Sequence, residues 1–125
     1  MAGELDVASA PEVYVRETAY EVSLWPPGEE TVNSSSFTIR VEWRGEGRWA
    51  VLGGRYCLGT DGEWDWEAGP SNREDEWLAT HRFTLEAAIA LAREAAPRVI
   101  VGGMTAVQAR AREAAREREP GGAPS

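Results

Sequence analysis

The stretch DGEWDWE at residues 61–67 sets three carboxylates, Glu63, Asp65 and Glu67, at alternate positions around Trp64 and Trp66. Paired carboxylates serve as acid and base in glycoside cleavage, or hold a hard cation through their oxygens. Both chemistries need the groups to converge, and catalysis also needs an apolar pocket that separates their pKa values. Residues i and i+2 on a strand lie side by side in water and diverge, so a solvated strand face is the expected role for these acids. A calcium loop is not matched either: Gly62 comes too early to be the central glycine of an EF-hand.

The remaining reactive side chains are His81, the single histidine, and Cys57, the single cysteine. One cysteine makes no intramolecular disulfide, and one of each falls short of the usual zinc spacings. No nucleophile elbow surrounds any serine. His81 falls at the carboxyl end of a predicted short helix, where a protonated imidazole would meet the negative end of the helix dipole, so a capping role is expected. The glycine pairs 53–54 and 102–103 follow neither a Walker nor a dinucleotide spacing and read as turns. No catalytic residue, metal ligand or cofactor is assigned on these grounds, and the chain reads as a non-enzyme.

Twenty-one acids against 13 basic residues give a net charge of −8, and all the basic residues are arginine. A negative field repels nucleic acid and anionic lipid at long range, which argues against both as partners. The opening MAGELDVASAPEVYV lacks the basic and apolar regions of a secretory signal, and no run reaches the ~18 apolar residues of a membrane span. A soluble cytoplasmic protein is the expectation.

The elements that position these residues follow from hydrophobic period and turn chemistry. YEVSLW at 20–25 alternates as a half-buried strand and is ended by Pro26-Pro27; FTIRVEW places Phe37, Ile39, Val41 and Trp43 on one side. The Gly45-Glu46-Gly47 loop pairs Trp43 with Trp49 and Val41 with Val51. A two-residue Gly53-Gly54 loop would set Val51 opposite Tyr56. A three-residue loop at 60–62 pairs Leu58 with Trp64 and Tyr56 with Trp66, the choice that keeps one face apolar. On this reading Trp64 and Trp66 are core, with an exposed aromatic ligand platform as the alternative.

Ser71 and Glu74 have capping-box spacing for a short acidic helix near 72–80. Thr84 is the expected N-cap of a second helix that stops at Pro97, and Leu85, Ala88, Ile89, Ala92, Ala95 and Ala96 form its apolar arc. RVIV at 98–101 is a short strand candidate, and Thr105 caps a third helix whose stripe is Val107, Ala111, Ala114 and Ala115. The expected fold is therefore α+β: an antiparallel meander of four to five strands covered on one face by a helix, with a short acidic helix and a carboxyl-terminal helix. Residues 1–19 read as a partly disordered extension, 20–104 as the domain, 105–119 as a peripheral helix and 120–125 as a disordered tail.

The WRGEGRW hairpin, the GEWDWE strand and the PSNREDEWLATHRF segment together resemble a set of small uncharacterised proteins of actinobacteria and of their phages and mobile elements. The resemblance covers about residues 20–109. It implies a bacterial, high-GC origin and carries no activity and no functional residue.

The register leaves a second face on which Arg40, Arg44 and Arg48 lie toward one side and Glu63, Asp65 and Glu67 toward the other, with Ala50, Leu52 and Cys57 between. This lopsided face either is covered by the carboxyl-terminal helix or receives a protein partner. The expected function is that of a small acidic interaction or accessory protein, with those six charged residues as candidate contacts. The alternative is a nucleic-acid-binding module using Arg44, Arg48, Arg110 and Arg112.

Overall fold

The computed structural model of the protein describes residues 10–67 and 75–118. The Ser71/Glu74 capping box and the 120–125 tail lie outside the described residues, as do residues 1–9 of the expected extension. Five strands form one antiparallel sheet in chain order: β1 (Ala19–Val22), β2 (Ile39–Trp43), β3 (Trp49–Gly53), β4 (Tyr56–Leu58) and β5 (Trp64–Trp66). Among the described residues three α-helices follow, α1 (Asp75–His81), α2 (Leu85–Ala95) and α3 (Ala106–Arg118). Between α2 and α3, β6 (Ile100–Val101) and β7 (Met104–Thr105) make a small hairpin turned by Gly102-Gly103. The fold is α+β. Among the described residues no helix is long and apolar enough to cross a membrane.

The first hairpin has the register that its loop requires: Val41 pairs with Val51 and Trp43 with Trp49. Gly45, Glu46 and Gly47 all take positive φ there, which explains why glycine flanks the one non-glycine residue in that conformation. The last hairpin likewise pairs Leu58 with Trp64 and Tyr56 with Trp66. The middle turn differs from expectation. Gly53 pairs with Tyr56 and Leu52 with Cys57, so the loop is Gly54-Arg55 and the register is displaced by two residues. A two-residue displacement leaves every side chain on the same face.

On the helix side, α2 lies on β1, β2 and β3. Its buried alanines, Ala88 and Ala92, followed by Ala96, meet Ile39, Val41, Trp49, Val51 and Leu58. Small side chains let the helix approach strands that carry large ones. Thr84 caps α2 by accepting from the Ala87 amide, as its position implies.

Phe37 and Trp25 are not part of that core. Phe37 ends a 3-10 turn over Ser34–Phe37 and stacks on Trp25 at 5.7 Å between ring centroids. The first serine anchors the entry to this turn: the Ser34 hydroxyl accepts from the Thr31 amide and donates to the Thr31 carbonyl. Helix α3 covers the pair with Ala106 and Ala109. Its buried stripe is therefore not the one centred on Val107, which is half exposed; the β6–β7 hairpin and the Thr105–Gln108 capping box rotate the helix to present Ala106 and Ala109. Glu113 fastens it, accepting from the Trp25 indole N–H at 2.8 Å and the Thr31 hydroxyl at 3.0 Å.

The Trp25 hydrogen bond holds the Glu113 carboxyl below its usual pKa. A depressed folded-state pKa contributes stability above the unfolded value and loses it as pH falls through the folded one. Glu113→Gln should therefore accelerate amide exchange in α3 at neutral pH and remove the acid-side loosening of α3 seen in the parent; exchange measured across that window checks both.

Candidate functional site

On the second face, Ala50, Leu52 and Cys57 are buried beneath Trp77 of α1. The cover is thus the short acidic helix; α3 packs against Trp25 and Phe37. Backbone pairing sets the placement: Trp49 and Phe83 exchange both hydrogen bonds, at 2.7 and 2.9 Å, so residues following α1 extend the sheet beyond the end of β4. Strand alternation then turns Phe83 toward α2 and Arg82 toward the second face.

Arg82 is the buried cation of this face. Its guanidinium donates to Glu67 at 3.0 Å and to the His81 carbonyl at 2.8 Å, and lies 5.2 Å from the Trp77 ring centroid. His81 stacks on the same indole at 4.2 Å, nearly parallel. Its Nδ1 faces the Trp77 carbonyl and the Thr80 hydroxyl, and its Nε2 lies 2.8 Å from Asp65. His81 therefore ties α1 to β5 as well as ending the helix.

The six charged residues read as a candidate contact face have these partners. Arg40 donates to Glu42 at 2.6 Å and to the Gly54 carbonyl; Arg44 bonds Glu42 and Glu67, both at 3.2 Å. Burial opposes the Arg44 charge, and Glu67 and Glu42 more than restore it, raising its pKa. Glu67 joins Arg44 to Arg82, and Asp65 meets His81. Arg48 and Glu63 are exposed. Of the residues in the nucleic-acid alternative, Arg110 bonds Glu29 at 3.1 Å, and Arg112 is exposed.

This cluster is not arranged for nucleophilic catalysis. Cys57 faces the His81 carbonyl and the Arg82 guanidinium, not the imidazole. Burial raises its thiol pKa despite the nearby Arg82 charge. Among the described residues no group of three or more His, Cys, Asp and Glu is placed to hold a metal ion.

The expectation that Trp64 and Trp66 are core is overturned. Trp64 is 37% exposed, Trp66 58%, and Tyr56, on the same face, 49%. The reason is width. An α-helix is about 10 Å across with its side chains, whereas five strands at ~4.8 Å spacing spread over about 19 Å. Lying on β1–β3, α2 still reaches Leu58 of β4 but leaves Tyr56 and the helix-side face of β5 beyond its edge.

The result is an ordered aromatic surface on the last strand of the sheet. Tyr56 and Trp66 meet edge to face at 5.8 Å, and Arg55 stands 5.9 Å over Trp66. The Trp64 ring lies across Gly53, whose added Cβ would come within 3.2 Å of it. Between Trp64 and the end of α2 runs a groove of about 250 Å³ lined by Leu91, Glu94, Arg98 and Val99. A larger cleft, about 600 Å³, lies between the proline–serine loop and Arg40. Its hydroxyls from Ser23, Ser34 and Thr38 bond the loop's own backbone, so the aromatic surface is the stronger candidate.

Periodicity places Trp64 and Trp66 on the apolar face and says nothing of how far the covering helix reaches. The available signal was helix length against strand number. Compared with protein-family models, curated proteins and solved structures, the chain matches none.

Two outcomes follow. Glu67→Gln removes the acceptor charge shared by Arg44 and Arg82 and should lower stability by about 2–4 kcal/mol in chemical denaturation. Gly53→Ala should displace the Trp64 indole signal in a nitrogen–proton spectrum while leaving that of Trp25 in place; unchanged Trp64 would contradict the observed contact.

Proposed function

We propose that this chain is a small non-enzymatic interaction protein that receives an extended, arginine-bearing segment of another protein on Tyr56, Trp64 and Trp66. The observation that carries this reading is the exposure of three large aromatics on a sheet face whose other apolar residues are covered. Exposed tryptophan and tyrosine offer rigid contact area with little entropy to lose, and such residues dominate binding energy where they are desolvated. Strand β5 pairs only with β4 among the described residues, so its other edge suits an added strand.

Charge favours a cationic segment. The overall charge is −8, and Asp61 and Glu63 precede the exposed indoles. The molecule already uses guanidinium–indole contacts at Arg16–Trp43, Arg55–Trp66 and Arg82–Trp77. An incoming arginine would make the same contact on Trp64. An accessory role in an actinobacterium, its phage or a mobile element accords with the sequence resemblance.

The second reading, single-stranded nucleic acid, draws on the same stacking surface with Arg55 beside Trp66. Arg44 and Arg110 are engaged by carboxylates, and the acidic residues around β5 oppose a polyanion.

Selection of a displayed random peptide library on the intact chain tests the proposal. Enriched peptides should carry arginine in an extended sequence, and Trp64→Ser with Trp66→Ser should weaken their binding at least about tenfold. Undiminished binding to that variant would reject the surface. Binding of single-stranded oligonucleotides at low salt, lost on Arg55→Ala, would favour the second reading.

A further inference from the structure

Before β1 the chain runs outside the sheet in no regular element, and its residues Val13, Tyr14 and Val15 are 90, 74 and 98% exposed. Three consecutive large apolar residues of high strand propensity in this condition are unusual for a soluble chain. The segment's limits are physical. Trp43 donates its amide to the Thr18 carbonyl at 2.9 Å, so the chain joins the sheet there. At the other end Pro11 has no amide to offer a strand partner. The arm between these limits is residues 12–17. Glu17 already accepts from the Tyr20 hydroxyl of β1, and within Glu12–Arg16 the Tyr14 hydroxyl donates to the Glu12 carboxylate, which leaves the backbone of 12–16 for pairing.

That arm is complementary to itself when reversed. An antiparallel pair centred on Tyr14 sets Val13 opposite Val15, Tyr14 opposite Tyr14, and Glu12 opposite Arg16. Both charges are then matched with opposite charges, and both valines with valines, across a two-fold axis. Displacing this register by two residues would break the Glu12–Arg16 matching. Arg16 is already oriented: its guanidinium lies 4.6 Å over Trp43, on the α2 side of the sheet. The Tyr14 hydroxyl donates to the Glu12 carboxylate, so these two side chains already lie together, and in a paired strand alternation would set them on the Arg16 side and Val13 and Val15 on the other.

We propose that this chain self-associates by antiparallel pairing of residues 12–16 of two copies about a two-fold axis through Tyr14. Charge complementarity selects a second copy as the occupant of the arm, because the same five residues supply both members of each pair. A two-stranded ribbon has a small interface, so the association is weak and depends on concentration. It uses none of the residues proposed to take a peptide.

Sedimentation of the full chain over a wide concentration range tests it. The apparent mass should rise from monomer toward dimer. Glu12→Arg places like charges in two symmetric pairs and should weaken association about tenfold. Arg16→Glu should do the same, and the double variant Glu12→Arg with Arg16→Glu should restore it. Glu12→Arg leaves the Arg16–Trp43 contact in place, so its effect is not a loss of fold, which a thermal melt confirms. A chain monomeric at millimolar concentration would overturn the proposal, as would a dimer insensitive to the single reversals or not rescued by the double one. A dimer lost in Trp64→Ser with Trp66→Ser and retained in Glu12→Arg would instead place the interface on β5.

Discussion

Strand β3 is buried on both faces, and the arrangement of the other elements follows from the need to cover it. Trp49 and Val51 point to one side and Ala50 and Leu52 to the other, and all four are buried. A strand in the middle of a five-stranded sheet loses contact with water only if a layer lies on each face. Helix α2 supplies one layer with alanines against large residues. Helix α1 and the residue that follows it supply the other, with Trp77, His81 and Arg82. The two covers differ in chemistry. The first is apolar; the second brings a buried guanidinium to the sheet, which Glu67 neutralises from β5's end.

The same geometry explains why the aromatic surface exists. A single helix over the first three strands covers Leu58 at the far end of β4 and leaves Tyr56 and β5 exposed on that side, where the chain places tyrosine and tryptophan rather than polar residues. Cover and exposure are thus two consequences of one narrow helix on a broader sheet. The charged residues of the second face hold α1 down, so the contacts available to a partner lie mainly on the opposite side.

Much of the fold is legible in the sequence where local chemistry is decisive. The glycine-rich loop at 45–47 determines the Trp43–Trp49 register, and Thr84 and Pro97 bound α2. The Gly53-Gly54 pair misleads because its glycines have different roles: Gly54 takes the positive φ of the turn, while Gly53 is a strand residue under the Trp64 ring. The second-face cover is not legible because Arg82 and His81 look like surface residues until the Trp49–Phe83 bridge brings them over Cys57. The serine run at 34–36 looks like a loop without packing value, yet its turn delivers Phe37 to Trp25. In each case the missing information is which distant segment arrives, a tertiary fact that period and propensity do not carry.

Whether the helix layer stops short of β5 is read from the solvent accessibility of individual indoles. A soluble paramagnetic agent added to a nitrogen-labelled sample should broaden the Trp64 and Trp66 indole signals strongly and leave those of Trp25 and Trp49 nearly intact. Equal protection of Trp64, Trp66 and Trp49 would return the last strand to the core.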